Sequence, residues 1–191
     1  MRCISCESLS ISLICKNCQN NLLEPSFNKR ELEKDFFVYS FYNYEELKAF
    51  LNSKYQFYGD RVFNILAKLS VKKFAKNFDF NEKVYIIPID DHTRHQFSQT
   101  AIIANKLKSN SLIPIYNTLK ATNLIKYAGK DLEFRKRNKR EFIYSGKENI
   151  KVILIDDLVT TGLTILEAKE TLEKNGCEVL FALTLSDAKV T

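Results

Sequence analysis

An α/β fold, with a central parallel sheet flanked by helices and a small four-cysteine module ahead of it, is predicted by three observations. Runs of branched apolar residues that end abruptly in acids stand at Val84–Ile89 and Val152–Ile155. Such runs mark strands buried on both faces of a parallel sheet. Helical patterns fall between them, and strand, loop, helix and strand follow one another over 84–115, the rhythm of a βαβ unit. Finally, Cys3-x-x-Cys6 and Cys15-x-x-Cys18 are grouped at the N-terminus.

The cysteine pattern has to be read against the compartment. The chain has 191 residues, is 45% apolar and carries only five glycines and three prolines. It can therefore bury a sizeable core and is neither linker-rich nor disordered. No apolar run approaches the roughly 20 residues of a membrane span, and the basic, apolar, small-residue order of a signal peptide is missing. The expectation is a cytoplasmic protein in a reducing environment. There, two CxxC pairs mean metal rather than disulfides. Four thiolates from Cys3, Cys6, Cys15 and Cys18 close a tetrahedral shell, so a structural Zn²⁺ is expected; an iron–sulfur cluster would use the same ligands. Cys177 stands apart and reads as a small apolar residue entering a strand.

In chain order, the metal-binding turns occupy residues 1–18, with a small β-ribbon suggested by alternating Leu9, Ile11 and Leu13. The module is assigned to 1–25 and the main domain to 36–191, with 19–35 as a polar connector. Phe36–Tyr44 is dense in aromatics and reads as a strand at a sheet edge or in a hairpin. Glu45–Leu51 is a short helix, and Arg61–Lys76 a longer one with Val62, Ile65, Leu66, Leu69 and Phe74 inward. After the strand Val84–Ile89 come a polar loop, a helix over Ser98–Lys108 and a strand at Ser111–Ile115. Thr118–Glu148 is irregular and reads as a β-hairpin or an arm. The helix Thr164–Asn175 ends at Asn175-Gly176, the expected place for a cap, and Glu178–Leu185 closes the sheet.

The stretch that carries chemistry is Lys151-Val-Ile-Leu-Ile-Asp156-Asp157-Leu-Val-Thr160-Thr161-Gly162-Leu-Thr164. Ligands of parallel sheets bind at the carboxyl ends of the strands. The segment Leu158–Gly162 reads as a loop that turns N–H groups and hydroxyls toward one spot, backed by a helix N-terminus that favours a phosphate. Two acids beside a phosphate need something to separate them from it. A ribose does so: its vicinal hydroxyls donate to the carboxylates while its 5′-phosphate sits in the loop. The residues thus point to a ribose-5-phosphate site.

Charge adds a second feature. The formal net charge is +6, and most of it lies between Lys126 and Arg140. In that window Lys126, Lys130, Arg135, Lys136, Arg137, Lys139 and Arg140 face only Asp131 and Glu133. Such a cluster suits polyphosphates or nucleic acid, and Tyr127, Phe134, Phe142 and Tyr144 offer stacking faces for a single strand. Core packing competes for Phe142 and Tyr144.

The acid pair with Leu-Val-Thr-Thr-Gly resembles the phosphoribosyl-diphosphate (PRPP) motif of type I phosphoribosyltransferases. The resemblance implies that Asp156 and Asp157 hold the ribose and that Val159, Thr160, Thr161, Gly162 and Thr164 cradle the 5′-phosphate. It implies a diphosphate site in the loop after Val84–Ile89, where Arg94 is the best candidate and His92 and His95 are weaker, and Mg²⁺ accompanying PRPP. No catalytic residue is assigned. The whole chain is similar to the ComF/ComFC competence family, which joins a four-cysteine zinc module to a type I phosphoribosyltransferase-like domain. Further support comes from Lys54 with Gly59-Asp60, from Arg94-His-Gln-Phe97-Ser-Gln99, and from Arg137-Asn138. A glycine of the Arg-Phe box is replaced here by His95 and Gln96. This resemblance implies DNA uptake in natural transformation. The partners would be single-stranded DNA, PRPP and the competence machinery at the inner face of the cytoplasmic membrane. A metabolic phosphoribosyltransferase is the alternative.

Overall fold

The computed structural model describes residues 1–78, 80–90, 97–123 and 132–188, without the side chains of Leu132 and Arg135. Within them, six strands form one sheet in the order β1-β2-β8-β7-β3-β4. These are β1 (Asn28–Glu33), β2 (Phe36–Asn43), β3 (Val84–Pro88), β4 (Leu112–Pro114), β7 (Lys151–Val159) and β8 (Glu178–Asp187). All neighbours run parallel except β1, which pairs antiparallel with β2. A separate antiparallel pair, β5 (Leu119–Ala121) and β6 (Phe142–Tyr144), is the hairpin expected within 118–148. Helix α6 (Leu132–Arg137) lies between its strands in sequence.

Two cores cover the two faces of the sheet, as strand alternation requires. Ile153 and Ile155 of β7 belong to one, with Val62, Phe63 and Leu66 of α3 (Gly59–Leu69) and Ile103 of α5 (Gln99–Lys106). Val152 and Leu154 belong to the other, with Ile165, Ala168 and Leu172 of α7 (Leu163–Lys174).

The connector expected at 19–35 is instead structured. It holds most of α1 (Lys16–Leu22) and all of β1. Asn-Lys-Arg-Glu-Leu-Glu hides as a strand because it lies at the sheet edge, where charged side chains discourage pairing with other chains. The aromatic run of β2 is consequently inside the sheet, and β1 is the edge of its hairpin. The helix expected over 61–76 is broken at Ser70, where α3 gives way to α4 (Val71–Asn77). Ser70 gives both its N–H (3.1 Å) and its hydroxyl (2.7 Å) to the Leu66 carbonyl, a back-bond that bends helices. In the N-terminal module, the only ribbon-like pairing among the described residues is the bridge between Arg2 and Leu9. Leu9 and Ile11 are 86% and 99% exposed, so their alternation was not a strand signal.

Candidate functional site

Strand β7 runs on through both acids to Val159, which shortens the expected loop to Thr160, Thr161 and Gly162. Val159 is 1% exposed and packs in the α7-side core, and its carbonyl accepts from the Ala188 N–H at 2.8 Å. Val159 therefore ends the strand, and its side chain faces the core. Gly162 carries φ +83° as the N-cap of α7, a left-handed conformation that L side chains adopt only with strain. A Cβ there would also lie 2.6 Å from Cδ2 of Leu32 on β1. The Thr161 hydroxyl accepts from the Leu163 N–H at 3.4 Å, and Thr164 follows in the first turn of α7. The remaining N–H groups of that first turn form the anion-favouring end of the helix.

The two acids have different surroundings. Asp157 is 7% exposed and forms an ion pair with Lys54 Nζ at 2.9 Å. The Lys54 ammonium is held above its ordinary range, first by the charge of Asp157. Asp156 Oδ1 accepts the Asp157 N–H at 2.8 Å. Its carboxyl is pushed well above the usual carboxylate range, by desolvation first and by the neighbouring Asp157 charge second. The arrangement keeps one carboxylate neutralised by a lysine and the other inclined to retain its proton. Both suit hydrogen bonds to neutral hydroxyls better than to a phosphate.

Lys54 reaches Asp157 because a 3₁₀ turn, Asn52–Tyr55, is pressed against the start of α3. Gly59 permits this approach, since a Cβ there would meet the Ser53 carbonyl oxygen at 2.2 Å and the Phe97 ring at 2.7 Å. The Lys54, Gly59 and Phe97 stretches of the resemblance thus meet in one place. A second basic residue joins the site from β1. Arg30 Nη2 donates to the Thr160 carbonyl at 2.8 Å, and Nη1 pairs with Asp187 Oδ1 at 3.1 Å. Sequence reasoning passed over Arg30 because it stood in the supposed connector. It noted Lys54 without giving it a role.

Of the remaining expected site residues, Arg94, Lys126 and Lys130 lie outside the described residues, as do His92, His95 and Tyr127. Arg135 belongs to α6. Lys136, Arg137 and Lys139 are exposed and Arg140 is half-buried. Lys136 and Lys139 line a cavity of about 480 Å³ together with Thr164 in the first turn of α7. Glu167 of α7 fastens this basic segment down by accepting the N–H groups of Arg140 at 3.0 Å and Glu141 at 2.6 Å. Lys136 and Lys139 are therefore neighbours of the start of α7 although distant in sequence. Phe142 and Tyr144 are buried in the α7-side core, which removes them as stacking faces.

The cysteines converge as expected. The Sγ atoms of Cys3, Cys6, Cys15 and Cys18 all lie within 4.8 Å of one another, and those of Cys6 and Cys15 are 3.7 Å apart. A tetrahedral shell with metal–sulfur bonds of about 2.3 Å separates its sulfurs by about 3.8 Å, so the four residues fit a metal ion. The Cys15 N–H donates to Cys3 Sγ at 3.3 Å and brings that thiol down to about 6, toward the thiolate a metal requires. Glu7 closes the first knuckle with φ +60°. Cys3, Cys18, Ile14 and Leu23 belong to the same buried cluster as Val62 and Leu66, so the module is welded to α3.

Fold and site together define an α/β protein with an acid pair and a Thr-Thr-Gly turn at the carboxyl end of a central strand. The chain belongs to the phosphoribosyl transferase domain family, whose model matches residues 58–190. Membership implies PRPP as substrate. Among solved structures, a hypoxanthine phosphoribosyltransferase from Staphylococcus aureus is 13% identical over 69% of this chain and 68% of its own, with a TM-score of 0.40. An adenine phosphoribosyltransferase from Leishmania donovani is 13% identical over 84% and 86%, with a TM-score of 0.44. One from Trypanosoma brucei, in complex with AMP, pyrophosphate and ribose-5-phosphate, is 13% identical over 84% and 86%, with a TM-score of 0.43. No curated protein matches the chain. No helix among the described residues is long and apolar enough to cross a membrane.

Proposed function

We propose that this protein binds Mg-PRPP and serves DNA uptake in the manner of the ComF/ComFC family, with single-stranded DNA as its second ligand. Asp156 and Asp157 take the ribose hydroxyls. Thr160, Thr161, Gly162 and Thr164 take the 5′-phosphate, with Val159 supporting the loop from the core, and Arg94 serves the diphosphate. The observation that carries the reading is the carboxyl end of β7, where Asp156 and the lysine-paired Asp157 are followed, after four residues, by a left-handed glycine and the N-terminus of α7. Mg²⁺, when bound with the ligand, would neutralise diphosphate oxygens. Cys3, Cys6, Cys15 and Cys18 would hold a structural zinc. The DNA assignment rests on the whole-chain resemblance, on the exposed Lys136, Arg137 and Lys139, and on the basic sequence they share with Lys126, Lys130, Arg135 and Arg140. The protein would act in the cytoplasm, beside the competence machinery at the inner membrane face.

Calorimetry with Mg-PRPP tests the first part. Wild type binds, and Asp156→Ala with Asp157→Ala does not; equal binding by a folded double variant rejects the assignment. Salt-titrated binding of single-stranded DNA tests the second. Affinity must fall steeply with salt if several phosphates are contacted, and a flat profile rejects it. A second reading, a metabolic phosphoribosyltransferase, is favoured by the family match. It requires that some nucleobase release diphosphate from PRPP, with electrostatic stabilisation of the departing group supplying most of the catalysis.

A further inference from the structure

Arg30 stands outside the family-matched segment, on an edge strand separated from β7 by β2 and β8. No ladder hydrogen bond connects β1 to the phosphate loop, yet its side chains touch the loop at two successive points. The Arg30 guanidinium takes the Thr160 carbonyl, and Leu32 lies against Gly162. Asp187, in register with Val159 at the end of β8, forms an ion pair with the other guanidinium nitrogen at 3.1 Å. Arg30 and Asp187 side chains are only 17% and 15% exposed, so this fork is largely shielded from water and from screening.

A trans peptide is planar, so the Thr160 C=O and the Thr161 N–H point in opposite directions. Pulling the carbonyl toward β1 turns that N–H away from β1. We infer that Arg30 is a positioning residue for the 5′-phosphate: from behind the loop it fixes the Thr160–Thr161 peptide so that its N–H is set before an anion arrives. The inference rests on the reading of Thr160–Thr164 as the 5′-phosphate site. Arg30 acts through the backbone, since its charge is balanced by Asp187. A lysine keeps the charge but supplies one compact ammonium in place of a planar guanidinium with two separated nitrogens, so it loses the fixed geometry of the pair of contacts.

The test uses the full chain and three probes: Mg-PRPP, ribose 5-phosphate and inorganic pyrophosphate, each by calorimetry. Arg30→Met should weaken PRPP and ribose 5-phosphate roughly 10- to 100-fold, the range for a lost charge-assisted hydrogen bond, and leave pyrophosphate unchanged. Arg30→Lys should fall between. Methylguanidinium added to Arg30→Ala should restore part of the ribose 5-phosphate affinity. If Arg30→Met does not fold, Arg30→Lys with a wild-type unfolding midpoint decides. Wild-type affinity for ribose 5-phosphate in the substituted proteins overturns the inference. So does a parallel loss for pyrophosphate, which would make Arg30 a general strap. Failure of wild type to bind either ribose compound instead overturns the reading of the loop itself.

Discussion

Lys54→Met removes the partner of Asp157 while keeping most of the side-chain volume. At 2.9 Å, two unit charges attract by about 6 kcal/mol at an effective dielectric of about 20. Desolvation offsets much of this. The measurable quantity is the cost of leaving a carboxylate uncompensated, typically about 2–5 kcal/mol for a buried pair. Lys54 retains 24% exposure against 10% for Asp157, so the expectation is the lower end, about 2 kcal/mol. In urea that is a fall in midpoint of about 1 M for a slope of about 2 kcal/mol per M. The pH dependence carries a sign. The Lys54 pKa is raised in the folded state, so its contribution is fully present below the unfolded value of about 10.4. It is lost as pH rises through the higher folded value. The gap between wild type and variant should therefore be constant from pH 6 to 9 and shrink only in strong alkali. Equal midpoints at pH 7, or a gap that closes near neutrality, would refute the reasoning.

Three further perturbations follow from the same geometry. Asp156 binds its proton more tightly when folded, so its contribution is present at acid pH and is lost as pH rises through the folded value. Asp156→Asn, which mimics the protonated acid, should raise the unfolding temperature at neutral pH, and a lowered unfolding temperature would contradict it. Gly162→Ala should destabilise the fold by about 1–2 kcal/mol through its positive φ. Adding Leu32→Ala should relieve only the contact part in denaturant titrations, and complete recovery would argue against backbone strain. Native mass spectrometry should find one zinc ion per chain, and a chelator should lower the unfolding temperature of the entire protein because Ile14 and Leu23 share a core with Val62; an unchanged melting curve would show that the cysteines stabilise nothing.

The parallel sheet, β7 with α7 and the cysteine cluster could be read from residues because each is a local pattern. Branched apolar runs, a capped helix and paired CxxC spacings need no knowledge of distant neighbours. What escaped was either edge-like or long-range. Strand β1 carries polar residues suited to an exposed edge, so its pattern matched a connector. Ser70 broke a helix through one back-bonding hydroxyl, against an apolar stripe that runs straight across it. Lys54 and Arg30 meet their partners across 103 and 130 residues of sequence, a separation at which no spacing rule operates. The acid pair looked uniform because adjacent carboxylates are identical in sequence, whereas strand alternation and a lysine from the far side make them unlike.

The pairing of β2 with β8 has a consequence for biosynthesis. Val38 lies beside Ala182 in the sheet, so the aromatic strand β2 leaves the ribosome long before its neighbour exists. At about 5–20 residues per second, the delay is about 7–30 s. During that time the edge of β2 that pairs with β8 stays open, with β1 covering the other. Asp157 and Thr160 also reach their lysine and arginine partners only after most of the chain has emerged. A nascent chain arrested before β8 would thus present a sticky hairpin and an unsupported Thr160–Gly162 turn. Yield should respond to translation speed and holdase chaperones more than the stability of the finished protein would suggest.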